Sequence, residues 1–191
     1  MGYNQEKLEV SRKLVWQEAM KYGAILGAVT VIAELLIGQI QSLLVSPGGM
    51  GLMGTLPAFI LNLGKTALFI YLMVIFARRF IDGFTGVIRK HVFTLNTAVA
   101  LFSSLIVSAW QLIQLKMIAP GKLEAAMEEA MASMPNVNPA QAEAVMNSLM
   151  HSLPWWMFFV KFLICFVIGV IAALIISRSI KKVSDNPFEC N

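Results

Sequence analysis

The chain has 191 residues, of which 58% are hydrophobic and only 14% charged. A soluble domain carries nearer a quarter charged residues to keep its surface solvated, so this composition, with a mean hydropathy of +0.71, excludes an ordinary soluble fold. The net charge of +4 would suggest nucleic acid in a soluble protein, but here the basic residues flank apolar segments, which points to membrane orientation.

Residues 1–21 are polar and basic, with Leu8, Val15 and Trp16 recurring among Lys7, Arg12, Lys13 and Glu18. This spacing predicts an amphipathic helical lead-in on the membrane surface. The first apolar run, 23–45, is long enough to cross a hydrocarbon core of roughly 30 Å at about 1.5 Å per residue. It stops at Ser46-Pro47-Gly48-Gly49, a helix-breaking sequence. With Glu34 at its centre and no small-residue cleavage site behind it, this run does not read as a signal peptide. The second run, 56–77, opens on Leu56-Pro57, where proline suits a first helical turn, and ends at Arg78-Arg79. The third is 92–115, followed by Pro120-Gly121. The fourth, 154–177, opens on Pro154-Trp155-Trp156 and ends before Arg178.

Residues 116–153 between the last two runs accommodate a helical hairpin. Its first helix, about 121–134, places Leu123, Met127, Met131 and Met134 on one face. Its second follows Asn138-Pro139-Ala140-Gln141, where Asn138 can cap and Pro139 can begin a helix. The predicted fold class is therefore all-α: an integral membrane bundle of four transmembrane helices with an extracytoplasmic helical hairpin, and a tail at 178–191.

Charge sets the direction of threading. Lys7, Arg12, Lys13 and Lys21 precede the first run; Arg78, Arg79, Arg89 and Lys90 lie between the second and third; Arg178, Lys181 and Lys182 follow the fourth. All three groups fall on one side of a four-span topology, and the opposite loops hold only Lys116 and Lys122. Positive charge is retained on the cytoplasmic side, so both termini are expected there.

Three ionisable residues lie inside the runs: Glu34, Lys65 and Lys161. Glu34 is the deepest, roughly 16 Å from either end of its helix, and must be protonated, paired or facing water. Gly23, Gly27, Thr30, Glu34, Gly38 and Gln41 form one stripe of small and polar residues, which packs against other helices and not lipid. The second run presents Asn62 and Lys65, the third Thr97, Ser104, Ser108 and Gln111, and the fourth Lys161, Cys165 and Gly169. The candidate centre is thus Glu34, Lys65, Asn62 and Lys161, with Glu34 paired to Lys65. The competing reading is that both lysines snorkel outward, most easily Lys161, only about 10 Å below Pro154.

Met117, Met127, Met131, Met134, Met146 and Met150 with His151 have the soft ligands that suit copper(I), but methionine at helical spacing is also ordinary packing and no dense Met-x-x-Met run exists. No metal or other cofactor is predicted. The two cysteines, Cys165 and Cys190, are expected to be free thiols. Nucleophile elbows, zinc-protease helices, phosphate loops and CxxC pairs are absent, so an enzyme is not expected. The expected partners are the lipid bilayer and either a second copy or another membrane protein, with no nucleic acid. A small transporter or proton-coupled carrier using Glu34 and Lys65 is the alternative.

Four features resemble a family of uncharacterised bacterial membrane proteins common in Bacteroidota, DUF4199: Trp16-Gln17-Glu18-Ala19 with Lys21-Tyr22-Gly23 and Gly27; Arg78 with Asp82-Gly83-Phe84; Ile118-Ala119-Pro120 before an acidic helical loop; and Gly169-Val170-Ile171-Ala172-Ala173-Leu174-Ile175 before a basic tail. The resemblance implies a four-helix inner-membrane protein of a Gram-negative bacterium. It implies no activity.

Overall fold

The computed structural model describes residues 8–44, 52–118, 121, 125 and 139–179. Four long helices account for nearly all of them: α1 (Arg12–Leu44), α2 (Leu52–Gly83), α3 (Arg89–Ile113) and α4 (Pro139–Ser179). A π turn, Gln114–Ile118, extends α3. A two-residue parallel bridge pairs Leu8–Glu9 with Phe84–Thr85 beside the α2–α3 turn, where Gly86 takes a positive φ of 72°, a conformation that glycine adopts without a Cβ clash. Each helix contains a stretch long and apolar enough to span a membrane. We call the end holding the start of α1 proximal and the opposite end distal.

The helices are longer than the apolar runs. The predicted surface lead-in is not separate: α1 is continuous from Arg12. Ser11 caps it, its hydroxyl accepting from the Leu14 N–H at 3.3 Å, and Val15 and Ala19 are buried in the bundle. Amphipathic and spanning segments share the same 3.6-residue period, and no breaker separates them. Likewise α2 runs past Arg78-Arg79 to Gly83, because charge does not stop a helix and Phe80 beyond it is fully buried. Pro154 was expected to open the fourth span, yet it lies inside α4, which begins at Pro139. Proline costs one backbone bond there, a loss that membrane helices tolerate. The second hairpin helix is therefore continuous with the fourth span. The first, about 121–134, lies outside the described residues apart from Gly121 and Ala125.

The bundle is built around α3. Its apolar window is 56% buried, against 17% for α1, 11% for α2 and 22% for α4. Glycines let two neighbours approach it closely. A Cβ on Gly23 would lie 2.6 Å from the Cβ of Phe102, and one on Gly27 2.8 Å from the Cβ of Ile106. Gly23 and Gly27 are four apart, as are Phe102 and Ile106, so α1 and α3 run parallel with matched ridges. On the other flank a Cβ on Gly169 of α4 would collide with that of Ala100. Trp16 meets Phe102 edge-on at 6.2 Å, and Tyr22 stacks on Phe76 of α2 at 4.7 Å. The outward faces remain apolar, with Phe59, Leu63, Trp156, Leu163 and Ile175 all exposed. An apolar surface on every side of the bundle is a surface for lipid, not water.

Gly27→Leu is expected to destabilise the detergent-solubilised protein by about 1–3 kcal/mol, the usual range for overpacking. Gly38→Leu, where no atom lies within 4 Å of the new Cβ, should leave the melting temperature near that of the wild type. Equal losses from the two would refute the α1–α3 seam.

Candidate functional site

The three ionisable residues of the apolar runs meet. The Nζ of Lys65 on α2 donates to Oε1 of Glu34 on α1 at 2.9 Å, and Nζ of Lys161 on α4 donates to the same oxygen at 2.9 Å. The donors lie 31 and 127 residues from Glu34 in the chain. Neither lysine turns outward to lipid. Side-chain exposure is 15% for Glu34, 20% for Lys65 and 29% for Lys161, so the ions are largely removed from solvent but not sealed.

Helix positions explain the meeting. On α1 the face carrying Gly23 and Gly27 is pulled onto α3, and Glu34 continues that face two turns further on. On α4, Gly169 seats the helix against Ala100, and Lys161 lies two turns distal to it. Depth is matched, so three side chains from three helices converge on one level. A single ion at this depth would cost roughly 2.5–3.5 kcal/mol by insertion scales. Mutual pairing offsets that cost, and it ties α1, α2 and α4 across the face that α3 does not fill.

On the distal side of this centre lies a polar cavity of about 320 Å³, lined by Glu34, Ile37 and Gly38 of α1, Asn62 of α2, Gln111, Gln114 and Leu115 of α3 with its π turn, and Lys161. Gln111 belongs to the polar stripe of the third run; Gln114 escaped the sequence reading, although its spacing of three from Gln111 places both on one face. The Gln111 Oε1 is buried and has no hydrogen-bond partner. On the proximal side lies a smaller apolar void of about 60 Å³, lined in part by Thr30, Lys65, Phe69, Ser103, Ser104 and Cys165. Lys161 thus borders the distal cavity and Lys65 the proximal void, with Glu34 held by both.

The hydroxyls of α3 are not part of the centre. Ser103, Ser104 and Ser108 donate to carbonyls of their own helix, at 3.1, 2.9 and 2.7 Å, and so act as small packing residues. Asn96, fully buried with neither amide atom partnered, was not singled out from the sequence, where a lone asparagine among apolar residues gives no sign of its surroundings. Cys165 is a free thiol. Among the described residues no three His, Cys, Asp or Glu side chains converge to hold a metal. Of the methionine group, Met117 is exposed at the distal end, and the side chains of the others and of His151 lie outside the described residues. Lys116 sits over the Trp155 ring at 5.0 Å, an attraction that joins the π turn to α4 at the rim.

The fold and centre define a class: a four-helix membrane bundle with a three-residue ionic tie inside the apolar layer, open to a polar vestibule at one end. The family described as protein of unknown function DUF4199 matches residues 21–182, and the chain belongs to that family. Comparison with curated proteins and with solved structures gives no match.

Breaking the tie on one side leaves buried cations without a counter-charge. Glu34→Leu is expected to destabilise the protein by about 3 kcal/mol, the low end for a buried pair given the residual exposure. Replacing Glu34, Lys65 and Lys161 together with leucine should recover most of that loss, because no ion is then left to desolvate. Thermal unfolding in detergent checks both, and a Glu34→Leu protein as stable as the wild type would show that the tie is not made.

Proposed function

We propose that this chain is a non-enzymatic binding component of a bacterial inner membrane, with both termini cytoplasmic, which holds its ligand in the vestibule beside Glu34, Lys65 and Lys161. The observation that carries this reading is the placement of the ionic tie: it lines the wall of a polar cavity instead of being sealed within helix contacts. A tie needed only for stability is better buried or replaced by apolar packing, whereas convergent polar groups at a cavity are the mark of a binding site. The basic segments at 7–21, 78–90 and 178–182 support the orientation, which makes the vestibule extracytoplasmic. The sequence carries no nucleophile-elbow, zinc-protease, phosphate-loop or CxxC motif that would favour catalysis. The bilayer surrounds the chain on all faces, and a second copy or another membrane protein is the expected macromolecular partner. The Gly23, Gly27 and Gly169 contacts are occupied within the bundle, so such a partner would meet other surfaces.

A second reading, a small proton-coupled carrier, is favoured by one feature. The tie stands between two cavities, with a lysine facing each, as a gate would.

Two measurements separate these. Native mass spectrometry of the full chain extracted from its own membrane is expected to show a bound mass that Gly38→Trp, which fills the vestibule, removes; identical spectra would overturn the binding reading. Proteoliposomes are expected to pass protons no faster than empty vesicles, and a flux abolished by Glu34→Gln would replace binding with transport. For orientation, reporters fused at Asn191 and inserted near Met134 should lie in opposite compartments.

A further inference from the structure

We propose that the vestibule is a seat for a small anion, a carboxylate or phosphate group, gripped by the Lys161 ammonium and the side-chain amides of Gln111 and Gln114. This rests on the binding reading above and names its ligand class.

The argument begins with charge. The four apolar runs contain one carboxylate and two lysines, so the centre carries one positive charge in excess when all three groups are ionised. Geometry shows how poorly Glu34 alone satisfies both cations. Each Nζ lies 2.9 Å from the same Oε1, so the two nitrogens are at most twice that distance apart. Coulomb energy falls as the inverse of distance. The repulsion between the lysines therefore cancels at least half of what the second one gains from the carboxylate. The desolvation of the second ammonium is not reduced in proportion. One cation is under-compensated, and it calls for a further negative group.

Position identifies which lysine supplies the free valence. Lys161 is the more exposed of the two and lines the polar cavity; Lys65 lines the apolar void. An ammonium has three donors, and Lys161 uses one on Glu34. The cavity lining also carries three amides, Asn62, Gln111 and Gln114, together with the Glu34 carboxylate, whose Oε1 is already engaged by both lysines. Gln111 buries its amide oxygen, which leaves the amide nitrogen, a donor, as the polar atom of that side chain able to face the cavity it lines. Gln114, one turn along, lines the same wall. A cation in this cavity would raise the local excess to two positive charges. An anion cancels it and finds donors in the Lys161 ammonium and the side-chain amides of the lining. The volume of about 320 Å³ holds an acetate or phosphate group with room for what it is attached to.

The ligand chemistry could come from a free anion or from an anionic lipid headgroup, and the test separates them. Inorganic phosphate and acetate are titrated into the full chain in nanodiscs of phosphatidylcholine. Saturable binding is expected in the wild type, weakened about tenfold or more in Lys161→Gln, the equivalent of one charge-assisted hydrogen bond, and retained in Lys161→Arg. Gly38→Trp, which alters no charge, should block it with the melting temperature unchanged. Absence of saturable binding, or equal binding by Lys161→Gln, overturns the proposal. In discs containing phosphatidylglycerol, retention of that lipid by the wild type and not by Lys161→Gln, with displacement by phosphate, assigns the headgroup as the source. Phosphate binding indifferent to phosphatidylglycerol assigns the free anion. If phosphate and acetate fail to bind while the native mass adduct is still lost in Gly38→Trp, the anion assignment falls and the binding reading stands. If the adduct is also absent from the wild type, both fall.

Discussion

Hydrocarbon gives a polar group nothing to bond to, and that constraint governs this structure. Backbone groups answer it by staying helical through 33, 32 and 41 residues in α1, α2 and α4. Ser103, Ser104 and Ser108 of α3 answer it by bonding to their own helix. Glu34, Lys65 and Lys161 have no local solution: an ion on one spanning helix must find its counter-ion on another. Their meeting at 2.9 Å is a long-range polar requirement that the helix packing has to satisfy.

Glycine makes that requirement compatible with close packing. Where α1 and α4 approach α3, side chains are reduced to hydrogen at Gly23, Gly27 and Gly169, and the helix surfaces come within Cβ contact distance. Dispersion between such surfaces supplies the attraction that the hydrophobic effect does not provide in lipid. The glycines lie in the proximal half and the ions further along, so the bundle is dry and tight at one end and polar and open at the other. Gly38, where an added Cβ would meet nothing within 4 Å, borders the vestibule. The α1 stripe thus changes role along its length, from packing seam to cavity wall.

A tie of one carboxylate and two ammoniums is an unequal arrangement. For rigidity alone, one lysine would have sufficed, or none. The second lysine adds a cost and a capacity together: a cation whose compensation is incomplete, placed where a polar cavity gives access to it. That coincidence of excess charge, amide donors and volume is what the proposed anion seat rests on.

Much of this was legible in the residues themselves. Run length and apolar composition determine four spans, because solvation free energy acts on each segment independently of the others; the basic flanks are the basis of the direction proposed above. The depth of Glu34, Lys65 and Lys161 is also legible, since rise per residue converts position into height. Helix ends were less so: α1 continues back to Arg12 and α4 passes through Pro154, because helical periodicity alone does not mark where a surface segment becomes a spanning one. The small-residue stripe marked the inward face of α1, but only the tertiary structure decided which neighbour each face meets and whether the lysines turn inward. Height along an axis says nothing about rotation around it, and rotation is set by contacts such as Gly27 with Ile106 and Gly169 with Ala100, between residues far apart in the chain. Whether Lys161 would reach lipid headgroups or Glu34 depended on that rotation, and so did the cavity that the two of them border.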